Sequence, residues 1–170
     1  MADAAGCKKP CLISSGQLGM SVGQNAATKR TVLMLLRHGY FVTSILREID
    51  KAERKALRDN IPALFRLNGT SDIQWENKLY KGKNMFEHFP DIQFYDYTKI
   101  PTRKVSHINN YHLTWSYSEA NDKYASLFDK IAYNIAVVFN GAFPIYFKGR
   151  EVVNGDETDL RFLDKDNVIV

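Results

Sequence analysis

The sequence predicts an α/β domain with a mainly parallel sheet, helices at its N-terminal end, and the plan of a partial or distorted (β/α) barrel of the TIM type. Three observations predict it. Residues 22–58 carry helical apolar periodicity; from residue 63 onward, short apolar segments each open into a polar loop; and a helix-length amphipathic stretch separates two of those segments. Strand, loop, helix, strand is the order a parallel sheet needs, because parallel neighbours must be joined by a crossover.

The chain's 170 residues suffice for one domain, since a domain of that size hides roughly 70% of the surface its unfolded chain exposes. The organisation expected is a single domain, with a cysteine-containing arm over 1–21 and an α/β body over 22–170. Apolar residues at 45% and charged residues at 25% exclude a disordered or collagen-like chain. Apolar runs such as Val32 to Leu36 fall far short of the ~20 residues that span a bilayer. No membrane partner is therefore expected, and the start, Met1 to Lys9, lacks the basic and apolar regions of a secretory signal, which points to the cytoplasm. Net charge is +4, with ten bases against five acids over 1–60 and six bases against nine acids over 111–170. Such a basic front permits attraction to nucleic acid or another phosphate-bearing partner without demanding it.

Each element follows from local pattern. Ser14-Ser15-Gly16, Gly19 and Ser21 make residues 1–21 a loop or cofactor-binding arm. Val22 to Arg37 is helical. After the His38-Gly39 break a second helix presents Phe41, Ile45, Ile49, Ala52 and Ala56 as one stripe; its other face is charged, with Asp50 and Arg54 at i,i+4 spacing. Strands are expected at Ala63 to Leu67, Ile92 to Tyr97, Tyr111 to Tyr117 and Ile135 to Phe139. Glu119 to Tyr133 suits a helix capped by Ser118. Ile145 to Phe147, Glu151 to Val153 and an Asn154-Gly155 turn read as short strands joined tightly. An apolar end, Val168-Ile169-Val170, would leave a strand unpaired, so the polypeptide is expected to continue in a slightly larger domain.

In parallel α/β folds, strand C-termini carry the chemistry. Polar residues gather there: Asn68, Thr70, Ser71 and Asp72 after the first strand; Asp96, Thr98 and Lys99 after the second; Thr114, Ser116 and Glu119 after the third; Asn140 after the fourth. Alternation places Arg66 with Asn68 on one face, and His112 with Thr114 and Ser116 on another. A charged Arg66 in an apolar strand needs a partner, and Asp72 or Asp96 is expected to supply it. One reading makes these residues loop caps and a structural ion pair. The sharper reading makes Arg66, Asn68, Thr70, Asp72, Asp96, Lys99, Thr114, Ser116 and Asn140 the lining of a pocket for an anionic ligand.

Cys7 and Cys11 lie in a Cys-x3-Cys spacing on the arm. A cytosolic disulfide is disfavoured. Two thiolates can reach one metal, yet zinc needs four ligands and an iron–sulfur cluster at least three; Ser14 stands where a third cysteine would complete Cys-x3-Cys-x2-Cys. The pair is a candidate zinc or cluster site, or two ordinary thiols. Asn68-Gly69-Thr70 reads as a turn rather than a glycosylation site, and Asn154 to Asp159 as a hairpin turn rather than a calcium loop. Phe86, Phe89 and Phe94, between lysines, are core residues before they are a base-stacking platform. No nucleophile triad, P-loop or GxGxxG is present.

At Arg66-Leu67-Asn68-Gly69-Thr70-Ser71-Asp72, Phe94-Tyr95-Asp96-Tyr97-Thr98-Lys99 and Asn154 to Asp164, the chain resembles the phage protein family called gene product 88. The likeness takes in the cysteine arm, Asn110 to Thr114 and Ala136 to Phe139. It implies a phage or prophage protein in the host cytoplasm, and no established activity. It also implies a Cys-Pro preceding Met1 and a glycine- and lysine-rich strand following Val170, so that a third thiolate would join Cys7 and Cys11. That arm-plus-barrel plan is similar to radical-SAM-like proteins at the level of fold alone. Two function classes follow: a metal- or iron–sulfur-dependent enzyme with an anionic substrate at the rim, or a non-enzymatic accessory protein binding nucleic acid or a host protein.

Overall fold

In the computed structural model, residues 16–118 and 122–170 are described, and they fall into two compact units. Of the described residues, one comprises 16–64 together with 75–92, and the other 65–74 with 93–170.

The first unit is helical. A single turn, α1 (Gly16–Gly19), occupies the end of the stretch expected to be loop; α2 (Ser21–Leu36) and α3 (His38–Asp59) follow. On α3 the expected stripe residues Ile49 and Ala56 are buried, together with Val42, while Phe41 and Ile45 are half-buried and Ala52 is exposed. Arg54 and Asp50 pair at 2.8 Å across the solvated face. Asn60 ends α3 in the left-handed region (φ 54°), and the Ile61 amide donates back to the Ala56 carbonyl, a Schellman-type closure. Further along, α4 (Met85–His88) starts on a capping box, in which the Asn84 side chain accepts from the Phe86 and Glu87 amides and Glu87 accepts from the Asn84 amide. Trp75, Met85, Phe86 and Ile92 are buried, with Phe41 stacked on Trp75 at 6.4 Å.

The second unit carries a four-stranded parallel sheet in the order β1 (Leu64–Phe65), β2 (Gln93–Thr98), β3 (Tyr111–Ser116), β4 (Ile135–Ala136). Sequential order is what a barrel would show, but the sheet stays open and no barrel closes among the described residues. The expected first and fourth strands shrink to two residues each. Beyond Ala136 there is no β3 residue left to pair, because β3 ends at Ser116, and Val138 is 98% exposed. The expected helix between β3 and β4 is a 3₁₀ segment over Asp122–Lys130. Tyr124, Leu127 and Phe128 turn inward on it, with Ile131 just after its end, so the apolar spacing is the i, i+3, i+4, i+7 of an amphipathic helix although the winding is tighter. Arg150 closes its end by donating to the carbonyls of Phe128, Ile131 and Tyr133.

The hairpin is β5 (Tyr146–Phe147) with β6 (Arg150–Glu151), and its turn is Lys148-Gly149, with φ 47° and 80°, rather than Asn154-Gly155. Two successive left-handed residues give the twist a two-residue connection requires. The end of the chain is not left unpaired as expected. Residues 168–170 lie between β4 and Glu151–Val153, exchanging backbone bonds of 2.8 to 3.1 Å with Ile135 and Val137 on one side and with Glu151 and Val153 on the other. Val168 is buried, and Ile169 is buried in the core of Trp115, Phe128, Ile131 and Ile135.

Candidate functional site

Register fixes which side chains meet. Phe94 pairs with Tyr111, Asp96 with Leu113 and Thr98 with Trp115, so these six share one face of the sheet; Tyr95, Tyr97, His112, Thr114 and Ser116 share the other.

On the first face a closed polar network sits at the strand tips. Asp96, 1% exposed, accepts from the Asn68 amide (2.8 Å), Asn68 Nδ2 (3.1 Å) and the Tyr111 hydroxyl (3.3 Å). The Asn68 Oδ1 in turn accepts from Ser71 Oγ and the Ile73 amide, which shapes the loop after β1. Asp72 accepts from Thr98 Oγ1 (2.8 Å), the Lys99 amide (2.7 Å) and Arg103 Nη1 (3.1 Å), while Arg103 Nη2 donates to the Tyr111 hydroxyl at 2.9 Å. Thus the buried Arg103 guanidinium holds Asp72 directly and Asp96 through the Tyr111 hydroxyl. Burial raises the Asp96 carboxyl to about 6, against the opposing pull of the Asn68 amide, the Tyr111 hydroxyl and Arg103.

Outside this network lies a cleft of about 490 Å³ between the loop 101–107, after β2, and residues 127–133, before β4. Its rim carries Lys104, His107 and Lys130 with Thr102 and Ser106, all exposed. Arg103 lies at its base, and the Tyr133 hydroxyl donates to the Pro101 carbonyl at 2.7 Å, joining the two walls. Neither Lys104 nor Lys130 has an ion-pair partner among the described residues.

The opposite face holds a second polar group. Arg66 Nη1 meets Asp159 at 2.8 Å, and its Cζ lies 4.7 Å from the centroid of the Tyr97 ring, whose hydroxyl donates to Asp159 at 2.9 Å. Burial and the bond to Asp159 push the Tyr97 hydroxyl up. Arg161, 1% exposed, pairs with Asp164 at 3.4 Å and donates to the Thr158 carbonyl. Burial pushes the His112 imidazole down, opposed by the charges of Asp164 and Asp166.

The model of the family described as gene product 88 matches residues 1–170. This chain belongs to the gene product 88 family. No curated protein and no solved structure matches it significantly.

Of the rim residues expected in this family member, Asn68, Asp72, Asp96 and the Lys99 backbone do come together. Asn68 bonds to Asp96, and Asp72 accepts from the Lys99 amide. Arg66 does not join them: its partner is Asp159 instead of Asp72 or Asp96, because the strand stops at Phe65 and strict alternation lapses before Asn68. Thr114 is buried and Ser116 half-buried on the other face, while Thr70 and Asn140 are exposed in loops. Phe86 and Phe94 are buried and Phe89 half-buried. Cys7, Cys11 and Glu119 lie outside the described residues, and among those described no group of three or more His, Cys, Asp or Glu converges on a metal position. No described helix is long and apolar enough to cross a membrane.

Reading from sequence missed Arg103, Tyr111, Asp159 and the lysines of the cleft. The signal for Arg103 was faint but present: a strand-following loop, Pro101-Thr102-Arg103-Lys104, with two bases beside two upstream aspartates. Nothing local marks Asp159, which meets Arg66 across 93 residues.

Proposed function

We propose that this gene product 88 protein is a phage accessory protein that binds a phosphate-bearing anion in the cleft between 101–107 and 127–133. The observation that carries the reading is Lys104 and Lys130 standing on opposite walls without carboxylate partners among the described residues. The Asn68, Asp72 and Asp96 group has a different task. Two carboxylates against one guanidinium would repel an anion, but they hold Arg103, and with it the loop that forms one wall of the cleft.

The test is NMR titration with inorganic pyrophosphate and, separately, with a short single-stranded oligonucleotide. Amide shifts confined to 101–107 and 127–133 are expected, with affinity at least tenfold weaker in Lys104→Ala/Lys130→Ala. If nucleic acid is the ligand, that variant also lowers the salt slope by about 0.7 for each lysine removed. No binding at millimolar pyrophosphate or oligonucleotide, or equal affinity in the variant, would overturn the reading.

A cluster or zinc at Cys7 and Cys11 is a separate proposal, resting on the Cys-x3-Cys spacing. Iron and zinc analysis after anaerobic purification, with a visible absorption spectrum, decides it.

A further inference from the structure

The hairpin turn places a cation where a ligand's cation would fit. Lys148 Nζ lies 4.8 Å from the ring centroid of Phe128, 5.1 Å from Tyr117 and 5.8 Å from Phe147. These rings stand nearly at right angles to one another: Tyr117 and Phe128 at 86° with centroids 5.5 Å apart, Phe128 and Phe147 at 76° and 5.9 Å. Three ring surfaces therefore converge on one ammonium, and the supporting contacts of Trp115 to Tyr117 and of Phe139 to Phe147, both at 5.3 Å, hold the walls in place. Lys148 has no ion-pair partner among the described residues, so the rings are what the ammonium meets.

Position sharpens the point. Lys148 sits at φ 47°, a left-handed site that glycine or asparagine occupies with less strain. The chain's other described Lys-Gly turn, Lys81-Gly82, brings its ammonium over one ring only, Tyr80 at 5.6 Å. Phe128 is 1% exposed with Lys148 in place, and Lys148 itself is exposed, so its side chain can leave without disturbing the backbone.

We infer that Tyr117, Phe128 and Phe147 form a binding box for a methylated ammonium group, with Lys148 as its built-in plug. Aromatic walls favour a quaternary ammonium because its charge is spread over methyl groups that carry little hydration. A tethered primary ammonium competes by proximity, so any external cation binds the plugged box more weakly than the open one.

The test uses the full chain and three probes: choline, its neutral isostere 3,3-dimethylbutanol, and a peptide bearing trimethyllysine. Lys148→Asn is chosen because asparagine accepts the left-handed turn, and folding is checked by amide dispersion. Expected are upfield ring-current shifts of the choline methyl signal, binding at least tenfold tighter in Lys148→Asn than in the native chain, and loss of both in Lys148→Asn/Tyr117→Leu. Choline and peptide binding alike indicate a site that reads the cation alone; peptide binding without choline indicates a protein-borne ligand. The inference fails if folded Lys148→Asn binds neither cation more tightly than the native chain, or if the neutral isostere binds as well as choline.

Discussion

Burial sets the protonation of Asp96 against its partners. Two donors from Asn68, the Tyr111 hydroxyl and Arg103 all favour the carboxylate, yet desolvation outweighs them and moves the group from 3.8 to about 6. The folded chain therefore holds this proton more tightly than the unfolded one. Stability from this group is fully present below about pH 4 and is lost as pH rises through about 6. His112 works in the opposite sense, since its lowered imidazole favours folding above its ordinary 6.5. Urea melts across pH 4 to 7 should separate them: the native-minus-Asp96→Asn difference isolates the Asp96 slope, which vanishes in the variant. Asparagine also turns an amide NH2 toward a group that now donates, at a cost of about 1–3 kcal/mol. At this scale the sequence was legible where bonds are local to strand ends, as for Asn68, Asp72 and Asp96. It misled for Arg66, which was expected to pair with Asp72 or Asp96 and instead meets Asp159, brought in by the path of a distant loop.

Among the elements, tight connections leave the least freedom. Gly155 lies where a Cβ would come 3.0 Å from Arg161 Nη1 and 3.2 Å from the Val170 backbone carbon. Its φ is not in the left-handed region, so the demand is for space alone. Gly155→Ala should cost about 1–3 kcal/mol and lower Tm by several degrees in a thermal melt. A Gly149→Ala change would instead strain the turn, because φ there is 80°. Apolar periodicity located helix α3, and apolar runs located β2 and β3 nearly to the residue. It overextended β1 and β4 because strand length depends on how far the neighbour continues, which no local pattern records.

In the sheet-bearing unit as a whole, residues 168–170 bridge two separate segments. They connect β4 to the hairpin, and Asn134, 1% exposed, fastens them by donating to the Lys165 carbonyl and accepting from the Val168 amide. Ile169, with no exposed surface, should cost about 2–5 kcal/mol when changed to alanine. Hydrogen exchange would check the cooperative consequence: the amides of Ile135, Val137, Val153, Ile169 and Val170 should be among the slowest, and should all accelerate together in Ile169→Ala. The sequence by itself determined the class of elements, their order, the parallel sheet and the family, because periodicity, strand-ending loops and long shared motifs are written locally. Tertiary structure alone decided that the acids near the strand tips join a hydrogen-bonded scaffold with Arg103, that the lysines flank an open cleft, and that residues 168–170 lie between β4 and the segment 151–153. Each of these depends on which distant segments become neighbours, and a buried charge takes whichever partner the chain path delivers.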